Sequence, residues 1–120
     1  MSNKAKFGFV LEYVTDIEAT RRFYVEVLGL EVERYSPTFI QFNHFAIASD
    51  ESMSSTRDPE VYWVVEDAEA AFKEYSQKGE ISMPLKPMPF GKVFGIKDPS
   101  GQPQYLIEFA KIRPSQPAKL

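Results

Sequence analysis

Three carboxylates stand within or at the start of apolar strand-like runs. Glu12 interrupts the run Phe9-Val10-Leu11-Glu12-Tyr13-Val14, Glu60 opens the run Val61 to Val65, and Glu108 sits within Tyr105-Leu106-Ile107-Glu108-Phe109. A carboxylate in an apolar strand needs a hydrogen-bonding partner, a counter-charge or a raised pKa. Glu12 could bind a polar ligand group or serve as a base, Glu108 could face a ligand as a cavity carboxylate, and Glu60 could contact a ligand. Each also has a structural reading. Glu12 fits a sheet edge or a buried hydrogen bond, Glu60 a solvated strand end, and Glu108 a carboxylate satisfied by a neighbouring Tyr or Lys.

The aromatics Tyr13, Phe39, Tyr62, Phe90, Phe94 and Tyr105 lie in or beside strand-like runs. Such side chains line small-molecule pockets and also fill cores. Trp63 alternates with Val61 and Val65, the side expected to face a helix, which leaves Tyr62 and Val64 on the other side. His44 could act as base or ligand, but it follows Asn43 in an expected turn and reads as a surface residue. Lys92 lies between Gly91 and Gly95, which mark a bulge or the close approach of a ligand; the simpler reading is a solvated lysine.

Other chemistries are excluded by what is missing. The 120 residues contain no Cys and one His, so thiolate zinc sites, Cys nucleophiles and two-imidazole sites are ruled out. No Gly-rich phosphate loop is present, and no elbow-type Ser motif accompanies His44. The net charge of −3 argues against a phosphate-backbone partner. No apolar run reaches the ~20 residues of a membrane span, and the first residues lack a signal peptide's apolar stretch. The expectation is a cytoplasmic protein with no membrane partner.

Two helices must position these residues. Thr15-Asp16-Ile17-Glu18 fits a capping box with Thr15 as cap, and Ile17, Thr20, Phe23, Tyr24, Val27 and Leu28 share one helical face, with Gly29 as the stop. A second helix begins near Asp67, carries Ala68, Ala71, Phe72 and Tyr75 on one face, and stops at Gly79. Strand-like runs precede and follow each: Phe7 to Val14, Glu31 to Tyr35, Phe39 to Phe42 and Phe45 to Ala48, then Val61 to Val65, Lys92 to Ile96 and Gln104 to Ala110. Asn43-His44 reads as a hairpin turn. The polar stretch 50–59 reads as a linker, Met83 to Pro89 as an extended loop, and 112–120 as a loose tail.

A shift of 51 residues superposes the halves. Val14, Asp16, Glu18, Ala19 and Tyr24 meet Val65, Asp67, Glu69, Ala70 and Tyr75. Both halves read strand–helix–strand–strand–strand, which points to internal duplication. A unit this small cannot cover its own sheet. Two units side by side can cover one face with helices and leave the other as a trough.

The sequence resembles the vicinal oxygen chelate superfamily, the glyoxalase, bleomycin-resistance and extradiol-dioxygenase group. Three stretches carry the resemblance: Val14 to Ala19 with Phe23-Tyr24 and Leu28-Gly29-Leu30; Val64 to Ala70; and Lys97 to Gly101 followed by Tyr105 to Phe109. The resemblance implies an α+β fold in a single domain over 1–120. Two tandem βαβββ modules, 7–50 and 59–111, would form a cup-shaped mixed sheet with helices on its outer face. It also implies a homodimer.

Metal-using members of that superfamily hold one divalent ion at four equivalent strand positions. On this sequence the resemblance puts those positions at Phe9, Glu60, Glu108 and either Ala46 or Ala48. Only two of them carry donors. The expectation is therefore a metal-free protein without cofactor. It would bind a small, partly aromatic or apolar molecule through Glu108, Glu12, Tyr13, Tyr62, Phe94 and Phe39. The alternative is a glyoxalase-type lyase or a dioxygenase using one divalent ion on Glu108 and Glu60, with Glu12 or His44 as a further ligand. A third reading, an interaction module, predicts a filled trough.

Overall fold

The computed structural model describes residues 4–50, 53, 56–88 and 90–110. Among these, 9–60 form one compact unit, and 4–8 with 61–110 form the other. The expected tail 112–120, Pro89 and part of the expected linker lie outside the described residues.

The first βαβββ run is β1 (Lys6–Tyr13), α1 (Ile17–Arg22), β2 (Arg34–Ser36), β3 (Phe39–Gln41) and β4 (Phe45–Ala48). Its strands lie in the order β2-β3-β4-β1. Hairpins join β2 to β3 and β3 to β4, while β1 runs parallel to β4, with Leu11 opposite Ala46 and Tyr13 opposite Ala48. Asn43 adopts φ 95, and Phe42 N–H donates to Phe45 O at 2.6 Å, so the β3–β4 turn falls on Asn43-His44 as expected.

The cap of α1 is Asp16, one residue after the expected Thr15. Asp16 is extended (φ −121, ψ 95), and its Oδ1 accepts from Ala19 N–H at 3.0 Å. A cap must reach the third helical N–H, and Asp16 stands at that spacing. Glu18 does not close a box; it accepts from Arg21 Nε and from Tyr35 Oη, each at 3.0 Å. The helix then widens into a π-turn over Phe23–Val27, in which Leu28 N–H reaches Phe23 O at 3.2 Å. Gly29, at φ 78, lets Leu30 N–H close on Tyr24 O at 2.9 Å. The extra residue in that turn shifts the phase of the face. Tyr24 and Val25 pack inward against Ile40, Phe42 and Ile47. Phe23, Val27 and Leu28, expected to be buried, are instead 47%, 68% and 55% exposed.

The second run is β5 (Glu60–Val64), α2 (Ala68–Ser76), β6 (Ile81–Met88), β7 (Gly91–Lys97) and β8 (Pro103–Phe109), with strands in the order β5-β8-β7-β6. Here too the first and last strands are parallel. Asp67 caps α2, its Oδ1 accepting from Ala70 N–H at 3.1 Å. Ala68 and Ala71 are buried against Val65, Phe94 and Leu106, with Phe72, Tyr75 and Trp63 packed around them.

The stretch read as a loop before Phe90 is β6, paired with β7 through two register irregularities. An edge strand tolerates proline because one side of its ladder needs no N–H, and Pro84 and Pro87 occupy such a strand. Gly91 and Gly95 serve close packing within the protein. A Cβ at Gly91 (φ 152) would meet Glu108 O, and one at Gly95 would meet Ser82 Oγ. These contacts replace the expected approach of a ligand.

Candidate functional site

Strand alternation gives the sheet of unit 9–60 two faces. Val14, Ile40, Phe45 and Ile47 face α1. Glu12 is on that side too: its Oε1 accepts from Tyr24 Oη at 2.8 Å. Burial of the Tyr24 phenol, with the Glu12 carboxylate beside it, pushes its pKa up from 10.0 to about 12. Glu12 thus makes a structural, half-buried hydrogen bond that ties it to the helix.

The opposite face carries Phe9, Leu11, Tyr13, Phe39, Gln41, Ala46 and Ala48, and register sets them in rows. Phe39 lies opposite Ala48, and Ala48 opposite Tyr13; Gln41 lies opposite Ala46, and Ala46 opposite Leu11. Phe9 meets Phe39 edge-on at 5.7 Å. Tyr13 Oη donates to Glu60 Oε1 at 2.6 Å, and Glu60 is only 4% exposed. The solvated strand end expected for Glu60 is therefore a buried carboxylate. Arg57 adds a cation 5.6 Å from the centre of the Tyr13 ring and donates to Val14 O at 3.2 Å. Of the sequence-based candidates the structure joins Tyr13 to Glu60 and sets Phe39 on the same face, with Ala48 between Phe39 and Tyr13.

In the other unit, Tyr62 stacks on Tyr105 at 5.4 Å with the rings 27° apart. Gly95, Tyr105 and Tyr62 form one row on the face opposite α2, and Val93, Ile107 and Val64 form the next. Phe94 is not there. It is fully buried beneath α2, edge-on to Phe72 at 5.3 Å and to Tyr75 at 6.1 Å. Glu108 is on the α2 side as well: its Oε1 accepts from Ala68 N–H at 2.9 Å, at the start of the helix. A helix N-terminus favours a carboxylate there. Trp63 faces the helix as expected and donates from Nε1 to Gln104 Oε1 at 2.9 Å. Lys92 forms an exposed ion pair with Glu69 at 3.3 Å, and His44 is exposed in its turn.

Sequence reading passed over Gln41, Phe9 and Arg57. Gln41 does carry a signal, as the one polar residue in Phe39-Ile40-Gln41-Phe42. Phe9 stands out in the sequence only as a position without a metal donor. Arg57 lies in an aperiodic polar stretch.

The four positions implied by the resemblance do not fit a divalent metal. The Phe9 ring packs on Phe39, and Ala46 and Ala48 carry no donor. Glu60 and Glu108 accept hydrogen bonds from Tyr13 and from the α2 backbone. Among the described residues no group of three or more His, Cys, Asp or Glu is placed to hold a metal ion. Nor is any helix among them long and apolar enough to cross a membrane.

Solved structures share the architecture. A glyoxalase/bleomycin resistance protein/dioxygenase superfamily member from Vibrio splendidus 12B01 superposes with a TM-score of 0.60 at 19% identity, covering 88% of this chain and 99% of that one. A Legionella pneumophila protein described as an NAD-dependent benzaldehyde dehydrogenase gives 0.68 at 22% identity, covering 86% and 99%. A variant of homoprotocatechuate 2,3-dioxygenase from Brevibacterium fuscum gives 0.54 at 18% identity, with 92% of this chain matching 34% of that larger one. At these identities the likeness is one of fold. No curated protein matches the chain. The family model for the Glyoxalase/Bleomycin resistance protein/Dioxygenase superfamily matches residues 6–109, and it is to this superfamily that the chain belongs.

Proposed function

We propose that this chain is a metal-free, small-molecule-binding member of its superfamily. The ligand is partly aromatic or apolar and bears a polar group. The supporting observation is Glu60, a carboxylate 4% exposed and held by Tyr13 at 2.6 Å on the face that carries Phe9, Leu11 and Phe39. A carboxylate is kept in such surroundings at a cost, and a polar ligand group is one reason to keep it. Tyr13 and Phe39 remain ligand contacts in this reading; Tyr62 lies in the other unit, stacked on Tyr105. Glu12, Phe94 and Glu108 do not, because each is committed to the helix side. The protein works as a cytoplasmic homodimer, with the exposed Phe23, Val27 and Leu28 facing a second copy.

Native mass spectrometry of the purified protein, before and after adding nickel, zinc or manganese, tests this reading. The expected result is a dimer that ignores metal and carries a copurified small molecule. Uptake of one ion per subunit, with affinity lost in Glu108→Ala, would overturn it. The metal-dependent lyase or dioxygenase on Glu60 and Glu108 would then take its place.

A further inference from the structure

Gln41 lies in β3 on the face opposite α1 and is only 6% exposed. Its Nε2 donates to Asn43 O at 2.7 Å. That bond fixes which end of the amide is nitrogen, so Oε1 is held as an acceptor. Oε1 is buried and, among the described residues, has no hydrogen-bond partner. Buried polar atoms are nearly always paired, by protein, water or ligand.

The surroundings favour a ligand. Gln41 stands opposite Ala46, and Phe39 stands opposite Ala48 in the next row. Both alanines rise a single carbon above β4. Gln41 and Phe39 therefore stand taller on one side of β4, and Leu11 and Tyr13 on the other. Apart from the Tyr13–Glu60 pair, Gln41 is the polar group among these apolar neighbours. An orphan acceptor there selects for a donor.

We propose that Gln41 Oε1 is a specificity-determining acceptor, and that the molecule bound on this face delivers one O–H or N–H to it from an aromatic or apolar body, as a phenol or an aromatic amine does. An ether or ester in the same place would set oxygen against oxygen. The proposal rests on the small-molecule reading above and deepens it.

Phenol and anisole are the probes, because they share a ring and differ in the donor. Their binding to the isotope-labelled dimer is followed by amide shift titration. Phenol is expected to bind about tenfold more tightly than anisole, with shifts on β1, β3 and β4. In Gln41→Leu, phenol should fall to the anisole level while anisole is unchanged. Should that variant not fold, the wild-type ratio and the Gln41 side-chain amide resonance carry the test. Equal wild-type affinities would overturn the Gln41 assignment and leave the small-molecule reading standing. Failure of both probes to shift this face would overturn the two together. A phenol preference that survives in Gln41→Leu, or a crystal structure in which a water keeps Oε1 while phenol binds elsewhere, would also overturn the assignment.

Discussion

Glu12 and Glu60 are both glutamates in apolar strands, and both accept a hydrogen bond from a tyrosine. They differ in which face they occupy. Glu12 is tied to Tyr24 beneath the π-turn, so Tyr24→Phe removes its phenol donor. We expect a loss of about 1–3 kcal/mol in urea unfolding. The alkaline limb carries the same signature. Tyr24 ionises near 12 in the folded chain, against 10.0 ordinarily. The stabilisation is whole below pH 10 and fades as pH rises towards 12, because the folded state holds the proton more tightly. An ultraviolet phenolate titration of the wild type should contain a tyrosine component near 12, beyond the raised Tyr35 and Tyr75. In Tyr24→Phe it should be missing, and stability should fall less steeply over that window. The sequence showed that Glu12 needed a partner; the partner lies on a helix whose facing no local pattern states.

The two helices mirror each other at the scale of elements. Asp16 and Asp67, already paired by the 51-residue shift, are the two caps. The capping-box pattern pointed to Thr15 instead, one residue early. Asp16→Ala should cost about 0.5–2 kcal/mol. Thr15→Ala should stay within about 0.5 kcal/mol, since Thr15 is exposed and makes no cap. Equal losses in thermal unfolding would return the cap to Thr15. The strands were legible as well, with β4 over the expected residues and β1, β5, β7 and β8 within a residue or so. A period of two divides a strand into faces without saying which face a helix covers. Trp63 and Tyr62 fell on the expected sides. Phe94 and Glu108 did not, because the packing of α2 is a long-range fact. The π-turn was also hidden: nothing in Phe23 to Val27 announces an added residue per turn.

For the whole molecule, the sequence made the architecture plain, since three stretches in order and a duplicated pattern specify the βαβββ pair. It could not fix the ligand face, because a few side-chain orientations decide it. Nor did it foresee the apolar surface at Phe23, Val27 and Leu28. If that surface meets a second copy, Leu28→Glu should give a monomer in sedimentation equilibrium while the far-ultraviolet circular dichroism stays unchanged. A dimer that survives Leu28→Glu and Val27→Glu together would place the interface elsewhere.

Among the described strands, β6 pairs with β7 alone, so one of its sides is an open backbone ladder. Open ladders recruit further chains, and fibrils grow by that route. Pro84 and Pro87 are both exposed, and neither offers the N–H that an incoming strand would need. The irregular register between Ile81 and Lys86 also denies a newcomer a flat template. The residues that made this stretch look like a loop thus act as gatekeepers against aggregation. Replacing both with Val should leave the fold intact, yet shorten the lag before thioflavin-positive fibrils appear in a concentrated, agitated sample.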